Sequence, residues 1–198
     1  MSRATDAIMA ARIEPCTITL RSTTPGGKPG KPRWDCLYHA HPGSLPPFGE
    51  NLSGSGLTEA QACIGDVYRL GEALIQISQP RSPCFKLNQR FGYGQLSQVM
   101  QLSGRCGWLL RVLEEGRVDP QGELTLVDRP YPELTVKRTA DILFNQARNE
   151  EELQLLLENP ALSPNWRQHA AHWLEHGVVA DWSRRLLGPT EFRLPRQD

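Results

Sequence analysis

The residue best placed to do chemistry is Cys84, in the run Gln79-Pro80-Arg81-Ser82-Pro83-Cys84-Phe85-Lys86. A cysteine acts as nucleophile or metal ligand through its thiolate, and cationic neighbours favour that form. Arg81 and Lys86 stand on either side of it, while Pro80 and Pro83 narrow the backbone that carries the sulfur. The competing reading is a small apolar residue buried beside a turn, because free cysteines are among the most buried residue types. Residue chemistry by itself leaves both readings open and leans towards burial.

Other candidates are weaker. Gly49-Glu50-Asn51 joins a carboxylate to an amide, but Gly and Asn are also the ordinary residues of a polar turn. His169, His172 and His176 fall at helical spacing on one face. No fourth ligand is indicated for a metal, and histidine near a helix C-terminus suits the dipole. The cysteines (Cys16, Cys36, Cys63, Cys84 and Cys106) are widely scattered with no C-x-x-C pair, which points away from structural zinc and from a disulfide framework.

Positive and negative side chains balance at 22 each, so nothing in the total charge favours nucleic acid as a partner. No run approaches the roughly 18 apolar residues of a membrane helix. The first residues are too polar for a secretory h-region. A cytoplasmic protein with no membrane partner is the expectation.

The elements that must position Cys84 fall in three parts. Residues 1–47 are dense in Pro, Gly and Thr, with only Pro15–Ser22 and Cys36–His39 reading as strands. Residues 48–132 carry short apolar runs. Cys63–Leu70 and Ala73–Ser78 form a hairpin across Gly71-Glu72, and Trp108–Leu113 pairs with Leu124–Val127 as a second one. Between them, Gln95–Ser103 is a helix stopped by Gly104. Many short strands with one helix predict a small β-barrel. Residues 133–198 turn to a 3.6-residue period, with apolar faces at Val136–Phe144, Leu153–Leu157 and Trp166–Leu174, and a last helix over Val179–Leu187. Ser163-Pro164 reads as an N-cap with proline at N1, and Gly177 as a stop. Trp166, Trp173 and Trp182 lie at core spacing. The class expected is mainly β with α: a barrel followed by a small helical bundle.

The ordered series Phe48-Gly49-Glu50-Asn51-Leu52, Gly56-Leu57-Thr58, Ile64-Gly65-Asp66, Gln79-Pro80-Arg81-Ser82-Pro83-Cys84-Phe85-Lys86-Leu87 and Gly107-Trp108 resembles the MOSC domain. More narrowly it resembles the bacterial YiiM-type group associated with resistance to hydroxylaminopurine, in which three helices follow the barrel. The resemblance runs from Phe48 to Gly188. Before it, the H-G-G-x-D-R-A block usual in the family is not found, so the first 47 residues look foreign to the fold and the barrel incomplete.

The resemblance implies a molybdenum cofactor (molybdopterin) with Cys84 as a protein ligand to the metal, a soft donor suited to a site already rich in sulfur. It further implies that Arg81 holds the cofactor phosphate as a bidentate fork, with Lys86 as a point charge. Asn51 would offer amide contacts and Glu50 would relay protons. The expected function is reduction of N-hydroxylated compounds such as hydroxylaminopurine, with a separate reductase as electron donor because no flavin, haem or iron–sulfur motif is visible. The alternatives are a carrier of cofactor or sulfur without turnover, and a degenerate protein with an empty barrel.

Overall fold

In the computed structural model the described residues are 48, 52, 56–118, 123–177 and 181–189. The expected strands in residues 1–47, and Glu50 and Asn51, lie outside them. Four strands and six helices are seen among the described residues, which is the mixed class the sequence predicts. They fall into two compact units that do not follow sequence order. One holds the chain up to Gln79 together with Gly107–Val136, and the other holds Pro80–Cys106 with Lys137 onwards.

The first unit is built on a sheet of order β3-β2-β1-β4, with β1 at Val67–Leu70, β2 at Ala73–Pro80, β3 at Trp108–Glu114 and β4 at Leu124–Asp128. The β1–β2 hairpin closes where predicted, with Leu70 opposite Ala73 across Gly71-Glu72. Gly71 has φ +59°, and a Cβ there would meet the Arg117 carbonyl oxygen at 2.5 Å. A glycine at the first central position is what a tight turn of this hand requires. On β2 the buried side chains alternate, with Ala73, Ile75 and Ile77 facing the core.

Two expectations are corrected here. Trp108–Leu113 and Leu124–Val127 do not pair with each other. The central hairpin offers two free edges; β3 takes the β2 edge and β4 the β1 edge. Glu72 N–H donates to Arg117 O, and Ser78 Oγ donates to Leu109 O, so β3 runs antiparallel to β2. The expected strand from Cys63 also starts late. Gly65 takes φ +90° and Asp66 N–H turns back to Cys63 O, so regular pairing begins at Val67. The residues before that turn bond instead to the stretch preceding the helices, through Ile64 N–H to Leu134 O and Val136 N–H to Ala62 O.

The second unit is helical. Its members are α1 (Phe85–Phe91), α2 (Leu96–Ser103), α3 (Val136–Phe144, whose first residue falls in the other unit), α4 (Glu150–Glu158), α5 (Pro164–His176) and α6 (Ser183–Leu187). The predicted caps hold. Ser163 Oγ accepts from Trp166 N–H, and Gly104 and Gly177 are left-handed stops. Leu153 and Leu156 on α4 and Trp166, Ala170 and Trp173 on α5 are buried, and these two helices pack together. The Phe144 ring meets Trp166 edge-on at 5.2 Å. The last helix starts at Ser183, later than predicted. Helix α1 has no counterpart in the sequence expectation.

Candidate functional site

Cys84 is the N-cap of α1, with extended backbone and no hydrogen bond from its side chain to the helix. It is a free, half-buried thiol, whereas Cys63 and Cys106 are buried. Burial pushes the Cys63 thiol up, and the Asp66 carboxylate adds to the effect, so Cys63 is held protonated and inert. Cys106 donates to Gly104 O at 3.7 Å. Of the described cysteines, Cys84 alone combines access with freedom from a local partner.

Beside it stands a residue the sequence reading did not single out. Arg185, on α6, is a half-buried guanidinium that donates through Nη1 to the carbonyl oxygen of Pro83 and through Nη2 to Gln101 Oε1 at 2.5 Å. Its carbon lies 4.9 Å from the Phe144 ring centroid and 4.9 Å from that of Trp182, within cation–π range. Burial lowers its affinity for its proton, while the Cys84 and Cys106 thiols act in the opposite sense. Its only pattern signal was a basic pair, Arg184-Arg185, on a short helix, and that normally marks a solvated face.

The remaining candidates are dispersed. Arg81 is half-buried on the segment leading to Cys84. Lys86 is exposed on the first turn of α1. Pro83 and the left-handed Gly92 bracket this helix; seven residues are too few to reveal a 3.6-residue period. His172 and His176 stack at 4.3 Å, with His176 Nδ1 3.1 Å from the carbonyl oxygen of His172. His169 meets Trp182 edge-on, and burial lowers its basicity, Arg185 and His172 adding to this.

A second charged cluster sits in the first unit. Asp66 is fully buried and accepts from Cys63 N–H (2.9 Å), Tyr68 Oη (3.1 Å), Arg129 Nε (2.8 Å) and Arg129 Nη2 (2.7 Å). The bond to Asp66 raises the proton affinity of Arg129. Burial and Asp66 push the Tyr68 phenol up to about 12. Both oxygens of the carboxylate are engaged, three bonds at Oδ2 and one at Oδ1, so the cluster locks the turn before β1.

Among the described residues no group of three or more His, Cys, Asp or Glu side chains could hold a metal ion. One accessible thiol on a segment held by a guanidinium instead fits a metal that arrives with most of its own ligands, such as one held by a sulfur-donating organic cofactor.

The chain matches the family described as MOSC domain over residues 33–125 and that described as YiiM-like, 3-alpha helix domain over residues 134–177. The first match begins at residue 33, ahead of Phe48 where the sequence resemblance starts. Protein YiiM of Escherichia coli (strain K12) is 43% identical over 143 residues, covering 72% of this chain and 63% of that one. The crystal structure of YiiM from Escherichia coli superposes with a TM-score of 0.69 at 42% identity, over 71% of this chain and 70% of that one. A protein named reductase from Gibberella moniliformis (strain M3125 / FGSC 7600) is 39% identical over 56% of this chain, but only 19% of its own length is matched. The chain therefore spans somewhat less than two thirds of the Escherichia coli protein and about a fifth of the Gibberella one.

Proposed function

The chain belongs to the MOSC-domain family, in the YiiM-like group that carries the three-helix domain, and from that premise we propose that it is a molybdenum-cofactor-dependent oxidoreductase acting on N-hydroxylated compounds. The observation that carries the reading is the contrast among cysteines. Cys84 is half-buried and free of local hydrogen bonds at its helix start, while Cys63 and Cys106 are buried. The family and the relative named reductase support the class of reaction.

In this reading Cys84 Sγ is the protein ligand to molybdenum, and Arg81 reaches the cofactor phosphate from the same segment. Lys86, exposed beside them, adds positive charge. Glu50 and Asn51, outside the described residues, keep their proposed roles of proton relay and amide contact. When bound, the cofactor supplies oxygen-atom transfer. The overall change breaks the N–O bond of an N-hydroxyl group: two electrons and two protons are taken up, the amine remains and the oxygen leaves as water. A separate reductase of the cell supplies the electrons.

The test is Cys84→Ala, produced in a host that makes the cofactor. Molybdenum per chain is expected to fall below about a tenth of the wild-type value, with reduction of 6-N-hydroxylaminopurine lost in parallel. Full molybdenum and full turnover in the variant would sink the assignment. Stoichiometric molybdenum in the wild-type protein without turnover, given a competent electron donor, would make the chain a cofactor carrier.

A further inference from the structure

Helix α6 lies beyond residue 177, where the match to the three-helix family ends, and it meets the chain on both sides of Cys84. On one side Arg185 donates to the carbonyl oxygen of Pro83, the peptide group that leads into Cys84. On the other, Gly188 closes the helix against Phe85: with φ +87°, a Cβ there would lie 3.1 Å from the Phe85 ring. Between these two contacts the Leu186 carbonyl oxygen accepts from Asn88 Nδ2 (3.0 Å) and Ser97 Oγ (2.8 Å), while Asn88 Oδ1 accepts from Ser97 N–H (2.7 Å). Asn88, Ser97 and Leu186 are all buried. A five-residue helix has no stability of its own, so these polar bonds, the edge-to-face contact of Trp182 with Phe144 and the Arg185 guanidinium over both rings determine where it sits.

Arg185 differs from an ordinary buried cation. Among the described residues no carboxylate pairs with it, and its buried Nε has no partner. The oxygens that accept from its Nη1 and Nη2, of Pro83 and Gln101, are both neutral. A desolvated guanidinium without a counter-ion is costly. Its fork is directed at the Pro83 carbonyl, the peptide group that precedes Cys84, which is where a positioning role would act.

We propose that α6 is a clamp on the cysteine, with Arg185 as a positioning residue that holds the Pro83 carbonyl, and Gly188 as the close contact that seats Phe85, so that the sulfur of Cys84 is presented in one direction. The proposal rests on the reading of Cys84 as the functional thiol. It assigns work to a helix outside the matched family segment. A planar fork is required, because one side chain must reach two separated acceptors while lying over the edge-to-face pair of Phe144 and Trp182, which a lysine ammonium cannot do.

The test uses the full chain, prepared without cofactor. The rate of Cys84 alkylation by iodoacetamide is followed by mass spectrometry at about pH 9.5, above the ordinary thiol range, so that the rate reports access and direction more than ionisation. Arg185→Met is expected to raise the Cys84 rate about tenfold, the scale of one lost charge-assisted hydrogen bond, and Gly188→Ala, which drives a Cβ against the Phe85 ring at a left-handed position, to raise it about fivefold. Cys63 and Cys106 serve as buried internal references and are expected to stay slow. Arg185→Lys keeps the charge, loses the fork and is expected to restore less than half of the protection. Cys84 rates within twofold of wild type in both Arg185→Met and Gly188→Ala would overturn the clamp, and so would a parallel rise at all three cysteines. Molybdenum content of the same variants from a cofactor-making host separates the two claims. An accelerated Cys84 in Arg185→Met, with molybdenum indifferent to Cys84→Ala, supports the clamp and overturns the ligand.

Discussion

Asp66 and Arg185 are both ionisable side chains taken out of water, one in each compact unit, and they are treated in opposite ways. Asp66 is fully buried and met by four donors, two of them from a guanidinium in bidentate geometry. Arg185 is half-buried, meets only neutral oxygens and two aromatic faces, and leaves one N–H unsatisfied. A closed network of this kind holds a turn in place. An open one retains unspent charge next to a thiol, which is the electrostatic setting that chemistry needs.

The difference can be broken most directly at Asp66. Asp66→Ala strands the Arg129 guanidinium, the Cys63 N–H and the Tyr68 hydroxyl, and is expected to cost about 3–5 kcal/mol in chemical denaturation. Arg185→Met removes an incompletely satisfied cation and is expected to cost about 1–2 kcal/mol in the same measurement. Equal losses in the two variants would erase the contrast and make Arg185 a structural residue like Asp66.

The smallest effect concerns pH. The Tyr68 phenol is pushed from its ordinary 10 up to about 12 by burial and by Asp66, so the folded chain favours the protonated form. Its contribution to stability is complete below about pH 10 and is lost as the pH rises through about 12. Thermal melts across that window should show a decline that Tyr68→Phe reduces. An identical decline in the variant would place the lost stability elsewhere.

Much of the fold was legible because its signals are local. Gly71-Glu72 between two apolar runs announces a hairpin, and Ser163-Pro164 announces a helix start within three residues. Gly104 and Gly177 stop helices because their left-handed φ of +68° is costly for other residues. Helix α1 was missed, since seven residues between Pro83 and Gly92 give no period to read. The β3–β4 pairing was misjudged for a different reason: alternation shows that a run is a strand but not which edge it will occupy. At the candidate site, residue chemistry alone leaned towards a buried Cys84, and the structure leaves it half-buried at a helix start, while Lys86 lies on that helix and Glu50 and Asn51 fall outside the described residues.

By itself, then, the sequence determined which runs become strands or helices and where several of them stop. Those properties depend on turn chemistry and side-chain period within a few residues. Only the tertiary structure decided that the strands order as β3-β2-β1-β4, that Arg129 answers Asp66 across 63 residues, and that Arg185 answers Pro83 across 102. Pairings at such separations are set by which surfaces remain free once the local elements have formed, and no nearby residue carries that information.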